Sequence, residues 1–526
     1  MGIVNFLYEI LKILLVALMA YVSYFYYKYF TRENPLPGPF PLPFIGNIYQ
    51  VFRNSSLDMR KLQIKYGDLC EFYMESQRFI LLGHDDLVQI VLKPNANGSF
   101  HNRVNDDTEG LIEVGILNTG LLFNNVFHDW QYHRKFFTKV MMSPSFIKQS
   151  MMVIRNVFLE MDKYWEKLGE DKVIEFNHWM KLYYFDTIFF TTTSKPANSL
   201  ENYYNKLTSN EKLSSSKIII NESDLFVESV DAFVFSFVYF FFLPKIFRNF
   251  PGISKYTQYL KERICWLRNN VDNIIKTRRE EISKTPMDQE LKSDLLTMFL
   301  TVNTERDITE RIADDLHDEP MPDKNIEANF MEVMAGGIDT GANSMCFLVN
   351  QLENNTKVKQ RMIEEIELVL GKDPYSLFTL EDLSKLKYVD AVIKEASRIC
   401  SVGPTIFKKN SLPEVVGGYK WSKNTHFVLN IDGAQNHKSY WKNPNLFNPD
   451  RFMDKDNPEN KNQVYMWGGG LRKCPGKNLA IMELKVTLVM LYRTYDIELM
   501  KPMKERITAV RSCEELKIKL RKRKNL

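Results

Sequence analysis

Cysteine is scarce and scattered in this chain of 526 residues: Cys70, Cys265, Cys346, Cys400, Cys474 and Cys513 lie far apart, with no CxxC pair. A paired-thiol zinc site and a thioredoxin-like redox pair are therefore not expected, and such sparse thiols fit a reducing compartment. Charge imbalance is lacking too. The 69 Lys and Arg against 65 Asp and Glu leave a net charge of +4, which makes no case for nucleic acid as a partner. There is no internal repeat, no composition break that marks a second domain, and no glycine fingerprint for a flavin or nicotinamide. The 44% hydrophobic and 25% charged residues are those of an ordinary globular protein, long enough to bury a very large core.

One long apolar run is present, at the start. Between Ile3 and Tyr27 only Glu9 and Lys12 carry charge, three positions apart, where they can pair on one helix face. The run just suffices to span a bilayer. Tyr21, Tyr24, Tyr26, Tyr27 and Tyr29 crowd its end, and Lys28 and Arg32 follow. That is the pattern of an interfacial belt with the bulk of the chain on the cytosolic side. A cleaved signal peptide fits less well, because no small-residue cleavage site follows; a buried core helix is the third option. We assign residues 1–30 as a membrane anchor, 31–47 as a hinge and 48–526 as the catalytic domain. The hinge holds Pro35, Pro37, Pro39, Pro41 and Pro43, a spacing that forbids helix and favours a stiff extended arm. Asn-x-Ser/Thr triplets at Asn54, Asn97, Asn221 and Asn354 are chance matches if the domain is cytosolic.

Short strands are expected at Cys70–Met74, Arg78–Leu82, Thr425–Leu429 and Leu516–Leu520. Helical periodicity predicts helices over Phe146–Leu168, Tyr256–Ser283, Ile326–Gln351, Lys357–Leu370, Leu383–Ile399 and Asn478–Thr494. The expected fold class is mainly α with small β-sheets, as a single large domain. Residues 191–223, rich in Ser, Thr, Asn and Lys, read as a loop or surface insert. Ala232–Leu243 is almost wholly aromatic or aliphatic. It is too short to span a bilayer and reads either as a buried helix or as an apolar lid at a membrane surface.

Four segments carry chemistry. Trp467-Gly-Gly-Gly470-Leu-Arg472-Lys-Cys474-Pro-Gly476 reads as a glycine-framed loop that presents one sulfur at the start of a helix. The unpaired N–H groups there, with Arg472, favour the thiolate that binds metals; the plain alternative is a small buried hydrophobe. Ala335-Gly-Gly337-Ile-Asp339-Thr340-Gly341 places two glycines, a carboxylate and a hydroxyl inside a long apolar helix. A small polar groove for water and protons follows, or else a tight helix crossing with a satisfied Asp. Glu395 and Arg398 lie one turn apart on a helix that looks buried. With Arg451 they can form a carboxylate held between two guanidinium groups, although such a spacing is more often a surface pair. Trp130 and Arg134 can donate to one anionic group from the same helix face, while His133 reads as a packed or surface residue.

In these four ordered segments and nearly its whole length, the chain resembles the cytochrome P-450 family, the membrane-anchored microsomal haem-thiolate monooxygenases. The resemblance implies the fold of that family and haem b (iron protoporphyrin IX) with Cys474 as axial ligand. Trp130, Arg134 and Arg472 would hold the propionates, with Lys408, Trp467 and Gly476 also beside the cofactor. Glu395, Arg398 and Arg451 would fix the proximal loop, and Asp339 and Thr340 would deliver protons to dioxygen. Met334, Ala335, Gly336, Val402, Thr405 and Ile406 would line the substrate pocket, with residues 104–123, the Phe-rich segment and 507–510 contributing. Electrons would come from NADPH through a separate cytochrome P-450 reductase, with cytochrome b5 as a second candidate donor. Lys135, Lys139, Lys473 and Lys477 would form the docking patch, unless they are only a solvated face. The expected location is the endoplasmic reticulum membrane, and the expected substrate a sterol, fatty acid or xenobiotic. Three positions depart from the family pattern: Trp467 replaces the usual Phe, Gly341 a common second hydroxyl residue, and Lys408 an arginine. Competing functions are a haem-thiolate isomerase or dehydratase of oxidised lipids and a membrane-tethered haem sensor.

Overall fold

The computed structural model describes residues 2–523 except 54–55, 58, 94–97, 104–106, 210–221, 310–318, 455, 457–458, 460–463 and 509. Val104 of the expected substrate loop, Ala509, and the triplets at Asn54, Asn97 and Asn221 thus lie outside the described residues. The chain divides into two compact units, one of residues 1–102 and 405–434 and one of residues 103–404 and 435–526.

The first unit opens with helix α1 (Gly2–Phe30). None of its most apolar window is buried within the protein, and Lys12 pairs with Glu9 at 2.8 Å. Part of the tyrosine crowd packs on the proline arm. Tyr21 stacks on Phe44 at 4.3 Å and Tyr26 on Phe40 at 5.3 Å, while Tyr29 meets Tyr73 edge-on at 5.7 Å. The arm is non-helical, and its start is pinned by Arg78, which donates to the carbonyls of Glu33 at 2.6 Å and Asn34 at 2.7 Å. Strands β1 (Leu69–Met74), β2 (Gln77–Leu82), β3 (Thr405–Lys409) and β4 (His426–Asn430) form a sheet in the order β1-β2-β4-β3. The central β2–β4 pair is parallel. Ile80, Leu81, Leu82, Phe427, Val428 and Leu429 are fully buried, which is why these strands read as continuous apolar runs.

The second unit is helical: α2 (Phe127–Met142), α3 (Pro144–Leu168), α4 (Phe176–Thr193), α5 (Ser199–Thr208), α6 (Glu222–Phe242), α7 (Ser254–Lys284), α8 (Asp323–Glu353), α9 (Thr356–Leu370), α10 (Leu380–Lys385), α11 (Lys387–Ile399) and α12 (Lys477–Thr494). Strands β5 (Tyr495–Leu499), β6 (Lys504–Ile507), β7 (Arg511–Glu515) and β8 (Lys517–Lys522) follow. Every residue of α12 from Met482 to Thr494 is buried. Its polar groups find partners inside: Tyr183 meets Thr487 at 2.9 Å and Lys485 reaches Asp390 at 2.7 Å.

Two expectations are corrected. Residues 191–223 are not one loop. Helix α4 continues to Thr193, and α5 starts at Ser199 because the Asp186 carboxylate accepts from Ser199 N at 3.1 Å, Ser199 Oγ at 2.7 Å and Leu200 N at 3.1 Å; residues 210–221 lie outside the described set. The helix expected over Leu383–Ile399 is broken at Leu386. Glu365 of α9 caps the new start, accepting from Tyr388 N at 2.7 Å and Val389 N at 2.9 Å, so two of the first-turn donors are satisfied without a helix behind them. The Phe-rich segment belongs to the 21-residue helix α6, whose apolar window is 50% buried.

Candidate functional site

The cysteine loop is built by its glycines. Gly468 (φ 66°) and Gly470 (φ 65°) take left-handed backbone that other residues adopt at a cost. A single 3₁₀ turn, Gly470–Arg472, follows, and Cys474 N–H closes the loop on the Trp467 carbonyl at 2.9 Å. Gly476 (φ −80°) does not need positive φ; it is the residue before α12, whose Ala480 N–H bonds its carbonyl at 2.9 Å. Burial pushes the Cys474 thiol above its ordinary value, opposed by the Gly476 N–H and by Arg134 and Arg103. Desolvation thus outweighs the helix start and the cations at the free sulfur, and a bound metal cation would be the further charge that favours the thiolate.

Beside the sulfur lies a cluster of cations. Trp130 and Arg134 sit one turn apart on α2, and Arg134 donates to the Lys473 carbonyl. The Arg472 guanidinium stacks 4.4 Å from the centre of the Trp130 ring and donates to the carbonyls of Leu121, at 2.9 Å, and Asn124. Sequence reasoning missed two members. Arg103 couples electrostatically to Cys474 and to Arg472. Glu332 of α8 accepts from Leu121 N at 2.6 Å and from Leu122 N at 3.0 Å. Burial pushes the Glu332 carboxyl up to about 7 against the pull of those N–H groups, Arg103 and Arg472. Burial and the neighbouring Arg103 and Arg134 push Arg472 down, with Glu332 opposing. Among the described residues the enclosed Trp130 Nε1 and Arg103 Nε have no hydrogen-bond partner. Buried donors without acceptors are costly, so these two atoms point to an anionic group that is not protein.

Helix α8 supplies a second surface. A Cβ on Gly336 would meet nothing within 4 Å, whereas one on Gly337 would meet Ile188 Cδ1 at 2.9 Å and one on Gly341 the Tyr184 ring at 2.2 Å. Gly337 and Gly341 thus make a tight crossing with α4, whereas Gly336 borders open space. Thr340 Oγ1 donates to the Gly336 carbonyl at 2.5 Å and Asn343 Nδ2 to that of Asp339 at 2.7 Å, so side chains draw on the helix carbonyls at this step. Asp339 is not solitary. Lys181 of α4 lies 3.3 Å from it and also pairs with Asp231 of α6.

Glu395, Arg398 and Arg451 come together. The exposure of their side chains is 0%, 0% and 2%. Glu395 binds Arg398 at 2.7 and 2.9 Å and Arg451 at 3.2 Å. Arg398 also donates to the Pro444 carbonyl at 2.7 Å, and Arg451 to Glu459 at 2.7 Å. Of the expected pocket residues, Met334 is wholly buried and Ala335 nearly so, while Val402 is half-buried. Thr405, Ile406 and Lys408 lie on β3 in the other unit, where buried Lys408 donates to the Phe100 carbonyl at 2.9 Å. Lys139 and Lys473 are exposed, and Lys135 and Lys477 half-buried.

A half-buried cysteine before a buried helix, unanswered donors beside it and a glycine step open to space are a set of groups that could hold a flat, anionic, metal-bearing ligand. The Cytochrome P450 family model matches residues 36–520, and the chain belongs to that family of haem-thiolate monooxygenases. It is 24% identical to Cytochrome P450 93A3 of Glycine max over 87% of this chain and 86% of that protein. It is likewise 24% identical to Probable cytochrome P450 513F1 of Dictyostelium discoideum, over 93% and 95%. It is 23% identical to Aromatase of Gallus gallus, over 83% and 76%.

Proposed function

We propose that the protein is a membrane-anchored monooxygenase that inserts one oxygen atom of O2 into a lipophilic substrate, a sterol, fatty acid or xenobiotic. In this reading NADPH supplies electrons through a separate reductase. The observation that carries it is the pairing of Cys474 with the unanswered donors Trp130 Nε1 and Arg103 Nε, which fits haem on both its metal and its carboxylate sides. Haem held by a thiolate supplies the activation of dioxygen, because the sulfur donates electron density to the iron.

The chain's own residues do the rest. Trp130, Arg103, Arg134 and Arg472 hold the carboxylates, and the Glu395–Arg398–Arg451 triad fixes the segment around the cysteine loop. Thr340 Oγ1 holds a proton beside the Gly336 step, and Asp339 relays protons to it when Lys181 releases the carboxylate. Met334, Ala335, Gly336 and Val402 border the substrate. Helix α6 supplies an apolar wall: Phe237 meets Phe123 at 5.2 Å and Phe233 at 4.8 Å. The exposed apolar α1 supports anchoring, and Lys28 and Arg32 at its end support a cytosolic catalytic domain at the endoplasmic reticulum. Lys135, Lys139, Lys473 and Lys477 are the assigned docking patch for an acidic electron donor, the reductase or cytochrome b5.

The test is the absorption spectrum of the reduced, carbon-monoxide-bound protein. A thiolate-type Soret band that Cys474→Ser abolishes is expected; a histidine-type band in the parent, or a thiolate-type band in Cys474→Ser, refutes the ligand assignment. Product formation that needs both NADPH and added reductase tests the electron route.

A further inference from the structure

The sequence motifs account for Trp130, Arg134 and Arg472 but not for a carboxylate among them. Glu332 lies on α8, remote in sequence from the cysteine loop, and it grips the same stretch of chain that Arg472 grips. Leu121 N–H bonds Glu332 at 2.6 Å, and the Leu121 carbonyl accepts from Arg472 at 2.9 Å. Leu122 N–H adds a second bond to Glu332 at 3.0 Å. One turn of the 115–125 segment is thus clamped from both sides by opposite charges. Gly120 (φ 60°) makes the close approach feasible, since a Cβ there would stand 2.7 Å from the Glu332 carboxyl. Among the described residues, the hydrogen bonds to Glu332 are donated to it by the N–H groups of Leu121 and Leu122, the arrangement that suits the ionised carboxylate.

Charge gives the clamp a second effect. Among the described residues, three guanidinium groups, Arg103, Arg134 and Arg472, and one carboxylate share this enclosed region. Their balance is +2, equal and opposite to a cofactor edge with two carboxylates. Without Glu332 the balance would be +3, and the excess would act on any redox centre nearby in a poorly screened interior.

We propose that Glu332 is a positioning residue for the cofactor: it clamps the Leu121–Leu122 turn against Arg472 and trims the cation cluster to the charge of a dianionic edge. The inference rests on the reading above that this cluster holds the haem carboxylates, but it concerns a residue that reading does not use.

The test uses full-length haem-loaded protein in detergent at pH 8, without substrate or reductase. Reduction potentials are measured for the parent, Glu332→Gln and Arg134→Gln. Removing a negative charge shifts the potential positive and removing a positive charge shifts it negative, so shifts of opposite sign are expected; a merely loosened pocket would move both the same way. If Arg134→Gln shifts the potential and Glu332→Gln does not, or both shift with one sign, the role of Glu332 is overturned. If neither shifts, the cluster does not face the cofactor and the wider reading fails with it. Glu332→Ala, which also removes the clamp, should release haem to an excess of apoglobin about tenfold faster or more, the scale of one lost charge-assisted hydrogen bond. A release rate equal to the parent's overturns the clamp. Glu332→Gln retains an acceptor for Leu121, so the potential remains readable if the Ala variant does not fold.

Discussion

Two glycines five positions apart on α8 should respond oppositely to the same substitution. Alanine in a helix interior is favoured over glycine by about 1 kcal/mol, and that gain applies equally to Gly336→Ala and Gly341→Ala. What differs is the space. A Cβ at 336 meets nothing within 4 Å; at 341 it would stand 2.2 Å from Tyr184 Cε1 and 2.4 Å from Cδ1. Ordinary carbon contacts lie near 3.5–4.0 Å, so the ring would have to move by more than about 1 Å. Tyr184 is fully buried and packs edge-on against Tyr183 at 5.3 Å, which leaves it little room. Overpacking of this kind costs about 1–3 kcal/mol. The propensity gain cancels in the comparison, so the two variants should differ by that amount.

For a chain of 526 residues the unfolding entropy at the midpoint is about 1.1 kcal/mol/K, from ~2.1 cal/mol/K per residue. The separation in Tm is then about 1–3 °C, with Gly336→Ala above the parent by about 1 °C. Thermal unfolding in detergent at one fixed scan rate reads this directly. Equal midpoints for the two variants, or a lower one for Gly336→Ala, would refute the argument that Gly341 serves the helix crossing and Gly336 the open space. Gly336→Ala should also bind bulky haem ligands more weakly, because the new methyl takes room that the protein leaves empty.

Replacing Glu395 by Gln leaves Arg398 and Arg451 buried beside a neutral amide, at a cost of about 3–5 kcal/mol; the yield of haem-loaded protein should collapse, and an unchanged yield would contradict the structural role of the triad. Thr340→Ala should raise oxygen consumption relative to product, and an unaltered product yield per NADPH would remove the hydroxyl from proton handling. Burial raises the Asp186 carboxyl to about 6, opposed by Ser199 and Leu200, so between about pH 4 and 6 the native state binds more protons than the unfolded chain and stability falls as pH rises. Asp186→Asn should flatten that slope in denaturant titrations across pH 4.5–7; an equal slope would place the pH dependence elsewhere.

A long helix such as Phe146–Leu168, which became Pro144–Leu168, was legible because its burial is one-sided over many turns. Helix α4 was not, because its apolar residues lie all round it and leave no stripe to read. The Ser-, Thr- and Asn-rich stretch misled for a different reason. Such residues favour loops when their side chains compete for backbone bonds, but here Asp186 supplies acceptors from another helix and α5 forms. Strands β3, β5, β6 and β7 were unread as well. Each is only four or five residues long, and what makes a strand of such a segment is its partner across the sheet.

The site divides along the same physical line. Trp130 with Arg134, Glu395 with Arg398, and the glycine-framed Cys474 are local patterns, set by helical spacing or by one turn, and a sequence displays them whole. Arg103 and Glu332 have no such pattern. Arg103 lies just before residues 104–106, and Glu332 looks like one more polar position on a long helix. Their chemistry exists only after folding, when the 115–125 turn brings Gly120, Leu121 and Arg472 to the same carboxylate. The signal that could have found Glu332 is weak but physical: an acidic residue four positions before Gly336, between Met331 and Met334 in an otherwise apolar stretch, where a lone charge is expensive. A charge in that position implies a partner of opposite sign elsewhere in the chain. The loop around Cys474, with Arg472 and Lys473, is a segment with positive charge to supply one.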